Sequence, residues 1–319
     1  MKRLLVVGLC LIVAAMAFAG GQQARGGAEQ PLTVAATFGD LGNPFFFTMG
    51  RGVEDAARRL GGPDTRVTIV SSGYDLNTQV GQMENFIAAG VDIIILNAAD
   101  SRGIAPAVRR AREAGNIVIA ADVGAEGGVN ATVTSNNVQA GEQAAQYIVD
   151  RLGGRGNVII INGPPVSAVI DRVNGAKSVF ARNPGITILS DSQNAGGNRE
   201  GGLRVMTDLL TAFPRIDAVF GINDPTAIGA ELAIRQAGRQ SQMFVVGVDG
   251  APDAEVALRD ANSIFASTPS QDPYAMAVRA VEVAFEIQAG REPAETTILI
   301  PTTLITRQNV GQYEGWTSP

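Results

Sequence analysis

Val158-Ile159-Ile160-Ile161-Asn162-Gly163-Pro164-Pro165, followed by Val166 to Ala181 (VSAVIDRVNGAKSVFA), decides the fold class of this chain. Four β-branched residues in a row, Val158 to Ile161, suit a strand covered on both faces. After the turn residues that follow, Val169, Val173, Ala176 and Phe180 recur three or four apart. That spacing is one buried stripe on a helix. A strand followed by such a helix is half of a crossover unit, which lays neighbouring strands parallel and right-handed.

The same alternation continues in both directions. Strands are expected at Leu32–Thr37, Arg66–Ser71, Ile93–Asn97, Ile117–Asp122, Thr187–Ser190, Ala218–Ile222 and Met243–Val248. Helices are expected at Pro44–Leu60, Asn77–Ala89, Ile104–Ala114, Gln139–Leu152, Gly202–Ala212, Pro225–Ala237 and Ala275–Ala289. Eight units exceed one ordinary open sheet, so two similar α/β halves are expected. Their boundary falls at Ser135–Asn137, after a short strand. A chain that crosses back between the halves would place the last helix and a final strand near Thr297–Ile305.

The N-terminus states where the protein works. Lys2 and Arg3 precede an apolar run, Leu4 to Phe18, and the small-x-small site Ala17-Phe18-Ala19. Gly20 to Pro31 is polar and glycine-rich. This is the layout of a cleaved secretory signal peptide over residues 1–19 with a flexible linker over 20–31. The run is short for a membrane span, which takes about 20 residues. Cys10 lies inside the run after Leu9, which argues against a lipid anchor. The expected location is periplasmic or otherwise extracytoplasmic.

The chain has no histidine, and Cys10 is its one cysteine. Histidine-dependent catalytic triads are therefore excluded, and soft-metal sites lose their usual ligands. No P-loop is present, and no GxGxxG follows the first strand; the glycines of Gly196–Gly202 are expected in a loop between the halves. Neither a metal nor a cofactor is expected. The net charge of −6 argues against nucleic acid and anionic membranes as partners.

Ligands of open parallel sheets sit beyond the carboxyl ends of the strands. After the first strand stand Gly39-Asp40-Leu41-Gly42-Asn43-Pro44-Phe45-Phe46-Phe47. Asn43 suits a helix cap and Pro44 the first helical position. Three consecutive phenylalanines cannot all face one core, so one must leave it. The other ends carry Asn97, Asp122, Asn223 and Asp249, with Arg172 in the helix after Val158–Ile161 and Gln271 near the C-terminus. Each alone is well explained as a cap or turn residue. Together they form a ring of groups that donate and accept hydrogen bonds, which suits a neutral polyol.

These residues bring the chain into line with a known family. Asn43-Pro44-Phe45-Phe46, Gly90-Val91-Asp92-Ile93-Ile94-Ile95, Ser135-Asn136-Asn137, Val219-Phe220-Gly221-Ile222-Asn223-Asp224 and Val246-Gly247-Val248-Asp249-Gly250-Ala251-Pro252-Asp253 resemble, in order and spacing, the type I periplasmic sugar-binding proteins of the ribose-binding group. The resemblance runs from about Leu32 to Arg307. It implies two Rossmann-like lobes of the periplasmic binding protein-like I class, joined by a three-segment hinge. Residues 32–135 plus 270–301 would form one lobe and 136–269 plus 302–319 the other. It implies ligand contacts at Asn43, Phe45, Phe46, Asn97, Asp122, Arg172, Asn223, Asp249 and Gln271. It also implies an ABC transporter permease as partner, with a chemoreceptor as the alternative, and a monomer that is not an enzyme.

Three positions depart from the ribose-binding pattern. Val123 stands where that group has arginine, Gly197 stands where it has an aromatic, and its serine is replaced around Gly39-Asp40, which brings Asp40 toward the pocket. A sugar alcohol, or a branched or furanose pentose, fits these changes as well as ribose does. Two other classes compete with this reading. A transcription regulator of the same fold would need a basic DNA-binding segment, and a secreted hydrolase would have to rest on Asp122 and Asp249 as a carboxylate pair.

Overall fold

A computed structural model describes residues 31–316. The expected leader, its cleavage site and the linker lie outside the described residues, apart from Pro31. Leu32 onward folds as two α/β lobes.

The first run of elements is β1 (Thr33–Phe38), α1 (Pro44–Gly61), β2 (Arg66–Ser71), α2 (Leu76–Ala88), β3 (Ile93–Leu96), α3 (Ala105–Glu113), β4 (Ile117–Ala121) and β5 (Ala131–Ser135). The second is α4 (Asn137–Arg151), β6 (Gly156–Ile161), α5 (Ser167–Ala181), β7 (Ile186–Ser190), α6 (Arg199–Ala212), β8 (Ala218–Gly221), α7 (Asp224–Gln236), β9 (Phe244–Val246), α8 (Pro252–Arg259) and β10 (Phe265–Ser270). Then come α9 (Pro273–Gln288), β11 (Thr297–Ile300) and β12 (Thr303–Thr306).

The first sheet runs β11-β5-β4-β3-β1-β2 and the second β12-β10-β9-β8-β6-β7. Without their sixth strands the two orders are the same doubly wound pattern, 2-1-3-4-5. Strand order reverses between β1 and β3 in one lobe and between β6 and β8 in the other. Such switch points open a crevice at the strands' carboxyl ends. All pairings are parallel except β10 with β12.

Alternation within the strands builds the layers. Ile93 and Ile95 pack with α1 and α9. Ile94 and Leu96 face the other way, into a core that continues through α4 and α5 to Val158 and Ile160. Ile159 and Ile161 face α6 and α7. One apolar layer is therefore common to both lobes.

The chain passes between the sheets three times, after β5, after β10 and after β11. The first and third passages are tied side by side. Asn136 donates its backbone N–H to Ile300 O (2.7 Å), and Thr302 N donates to Gln139 Oε1 (3.0 Å).

Three expectations need correction. The single strand near Thr297–Ile305 is two strands, broken at Pro301 and Thr302, one in each sheet. Two elements, α8 and β10, lie where none is expected, and β10 carries Ser270 into the second sheet. The glycines of Gly196–Gly202 are only partly loop. Gly196 and Gly197 have φ of 67° and 69°, but Gly201 and Gly202 lie in α6.

Candidate functional site

Helix starts and strand ends deliver most of the nominated side chains, and the second turn of α5 delivers Arg172. Asn43 caps α1, its Oδ1 accepting from Phe45 N (3.0 Å), with Pro44 in the first turn. This cap sets Phe45 and Phe46 at the cleft. Both are buried, and their rings meet edge to face at 5.3 Å. Phe47 is the phenylalanine that leaves the core, at 60% exposure. In the other lobe Asn223 caps α7, accepting from Thr226 N (3.1 Å) and donating to Gly197 O (2.8 Å).

A cavity of about 60 Å³ lies between the lobes. A single water takes about 10–15 Å³ on this measure, so the space equals roughly four to six waters. Asn43, Phe45, Phe46, Asn97, Asp122, Arg172, Asn223, Asp249 and Gln271 all line it. Asp40 does not. It is exposed, accepts from Gly42 N (2.8 Å), and lines a neighbouring outer cavity.

The polar residues form one network. Asn97 donates to Asp122 Oδ2 (2.9 Å) and accepts from Gly39 N (3.2 Å). Arg172 is 4% exposed. Its Nε donates to Asn137 Oδ1 (2.8 Å), and Nη1 donates to Ile222 O (2.9 Å) and reaches Asp249 Oδ1 at 3.4 Å. Gln271 Nε2 donates to the same Asp249 oxygen (2.8 Å). Polar capacity remains unspent. Gln271 Oε1 is buried without a partner. Among the described residues Arg172 Nη2 and Asp122 Oδ1 also make no hydrogen bond. Buried polar atoms are rarely left so.

Burial pushes the Asp122 carboxyl up to about 6, against the pull of Arg172 and the hydrogen bond from Asn97. Asp249 is also pushed to about 6 by burial, opposed by Arg172 and Gln271. Asp224 lies fully buried beneath them. Burial, then the charge on Asp249, pushes its carboxyl well above its ordinary value. The site thus offers two ionised acceptors, one fixed guanidinium and several amides.

Backbone strain gathers at the same place. Among the described residues, the non-glycine residues with positive φ are Tyr74 (58°), Asp122 (68°) and Asp249 (139°), and all three line the cavity. Such conformations persist where surrounding structure holds them, often at ligand sites.

Several lining residues were not anticipated. Tyr74 follows β2, and its ring meets Phe46 edge to face at 6.0 Å. It fits because Gly39 has no side chain to collide with it. The strand-end rule applied after β2 would have found it. Val166, Val169 and Ile222 supply an aliphatic wall with Val123, which stands where the ribose-binding pattern has arginine. No local signal singles Val166, Val169 and Ile222 out from core residues. Trp316 lines the outer cavity, donating Nε1–H to Asp249 O (2.9 Å) and meeting the Phe45 ring at 5.6 Å. Among the described residues no helix is long and apolar enough to cross a membrane.

Comparison with known proteins agrees with this architecture. The family described as periplasmic binding protein domain matches residues 34–292. A ribose import binding protein of Bacillus subtilis is 34% identical over 284 residues, covering 88% of this chain and 90% of that one. An ABC transporter solute binding protein from Bacillus halodurans, solved with bound myo-inositol, superposes with a TM-score of 0.82 at 27% identity. The match covers 90% of this chain and 99% of that one. A periplasmic solute binding protein from Actinobacillus succinogenes, solved with bound D-allose, gives 0.79 at 29% identity, covering 88% and 100%.

Proposed function

The chain belongs to the periplasmic binding protein family, and we propose that it captures a neutral monosaccharide or sugar alcohol outside the cytoplasm and delivers it to an ABC importer's permease. The family is one of binding proteins, not enzymes. The observation that carries the choice of ligand is the unspent hydrogen-bonding capacity of Asp122, Arg172 and Gln271 around a cavity of small-polyol size. Each hydroxyl of a polyol both donates and accepts, so it can satisfy carboxylate and guanidinium together. An anionic ligand would meet two carboxylates against one arginine.

In this reading Phe45 and Phe46 cover one face of the ligand and the aliphatic wall covers the other. Arg172 donates to one or two oxygens, and Asp122 and Asp249 accept from hydroxyls. Asn43, Asn97, Asn223 and Gln271 complete the network. The two lobes close about the three passages as a hinge. The closed form is what the permease recognises. Residues 1–19 act as a cleaved export signal.

A thermal-shift screen of the purified protein against pentoses, hexoses, inositols, linear sugar alcohols and amino acids tests this. A ligand at 100 times its dissociation constant adds about 2.7 kcal/mol of stability. A shift with a sugar or polyol is expected. A shift with amino acids alone would overturn the reading. In the same assay Arg172→Ala is expected to weaken the hit by about 2–4 kcal/mol, roughly thirtyfold or more.

A further inference from the structure

The last described residues are anchored to the second lobe and touch the first. After β12 a single helical turn, Val310–Gln312, buries Val310 in the second lobe's core, and Arg259 Nη2 donates to Val310 O (2.8 Å). Tyr313 packs on the same core and donates its hydroxyl to Gly250 O (3.0 Å). Gly315, at φ of 75°, turns the chain, and Trp316 donates Nε1–H to Asp249 O (2.9 Å). Two tail side chains thus hold consecutive carbonyls of the turn that carries Asp249, whose own φ is 139°.

Across the cleft the same indole meets the Phe45 ring edge to face, at 5.6 Å and 82°. Phe45 meets Phe46, and Phe46 meets Tyr74, in the same way at 5.3 and 6.0 Å. Three of these four rings stand on the first lobe, and Trp316 completes the row from the second. It packs against the first lobe's core with α1 and α9 and against the second lobe's core with α6 and α7. Trp316 does not line the inner cavity, whereas Phe45 and Asp249 do. The two contacts of the indole differ when the lobes part. Its bond to Asp249 O lies within one lobe and persists. Its contact with Phe45 joins two lobes and breaks. Asp249 O also accepts from Gln271 N (2.8 Å), so it does not depend on the indole for a partner. The ring contact therefore favours the closed form alone, and an interaction made in one of two states shifts the population toward that state.

We propose that Trp316 is a positioning residue for ligand retention: carried by the second lobe, its indole latches onto Phe45 when the lobes close and so sets how long ligand is held. This rests on the hinge-closure reading and names the side chain that holds the hinge shut.

Acrylamide quenching of Trp316, the one tryptophan of the chain, tests the latch in the unaltered protein. The probe is whichever of D-ribose, D-allose, D-xylose, myo-inositol and xylitol gives the largest thermal shift. Quenching is expected to fall on saturation with the probe, as Phe45 covers the indole. A radius of gyration that falls on binding while quenching stays the same would overturn the latch and leave hinge closure intact. No change in either would overturn both. Surface plasmon resonance on immobilised variants gives a second test. Trp316→Ala is expected to release the probe about fivefold faster or more with an unchanged association rate, because the encounter with the open form does not use the contact. Trp316→Phe keeps a ring for Phe45 and loses the indole donor, and it is expected to release the probe more slowly than Trp316→Ala. Equal release from the two variants would assign the effect to the bond with Asp249 O, and release from Trp316→Ala at the unaltered rate would remove it; either overturns the latch. Should amino acids alone give a thermal shift, the sugar reading falls, and the same measurements with that amino acid decide the latch.

Discussion

Asp122 and Asp249 are held in the cleft at a cost to the folded protein. Their carboxyls sit near 6, above the roughly 3.9 of an unfolded chain. The folded state therefore binds protons more tightly. The stability these groups contribute is fully present below about pH 4 and is lost as pH rises through about 6. Binding has the opposite sign, because ligand hydroxyls donate to the ionised form. Affinity is expected to be flat above about pH 7 and to fall about tenfold or more by pH 5, read by calorimetry across that range. A flat profile would remove both aspartates from the contact set. Asp122→Asn separates the two effects further. The isosteric amide removes a buried charge, so melting temperature should hold or rise while affinity falls about tenfold or more. The residue types of this network were legible in the sequence because strand ends were the place to look. Tyr74, Asn137 and Trp316 were not singled out: Asn137 acts only through Arg172, and Trp316 arrives from a tail with no periodicity.

At the scale of elements, paired helices carry the site's precision. A Cβ on Gly141 of α4 would collide with the backbone carbonyl of Arg172 in α5, and one on Gly175 of α5 with that of Val138 in α4. Gly202 and Gly229 make the same reciprocal fit between α6 and α7. Such contact is possible only where both positions lack a side chain. Gly141→Ala is therefore expected to push α5 outward at Arg172 itself, costing about 1–3 kcal/mol of stability and weakening ligand binding as well. Chemical denaturation and calorimetry on the same variant check this, and loss of stability with full affinity would show that Arg172 tolerates the shift. Continuous apolar runs announced most strands, and amphipathic stripes most helices. Two elements gave little signal. β10 reads Phe-Ala-Ser-Thr-Pro-Ser, half polar and with a proline, and α8 spans eight residues, about two turns of periodicity. The break at Pro301-Thr302 was hidden because apolar residues on both sides read as one strand.

Across the whole molecule, three passages tie two lobes that also meet through Gly124 N donating to Ser167 Oγ (2.7 Å) and Ser167 N to Ser101 Oγ (3.0 Å). The middle passage carries Gln271, whose side chain holds Asp249. Ligand is expected to shift the population toward a more compact form, lowering the radius of gyration in solution scattering. An unchanged radius at saturating ligand would argue against hinge closure. Trp316, the one tryptophan in the chain, packs on Phe45 from the other side of the cleft, so its fluorescence should change in step with binding. By itself the sequence determined the α/β class, two repeated halves and most polar members of the cleft, because strand and helix periods are local and strand ends mark where ligands go. Only the tertiary structure decided that Asp40 lines an outer chamber rather than the inner cavity and that Trp316 lines that chamber too. Those are contacts between residues far apart in the chain, and no local pattern encodes the distance between them.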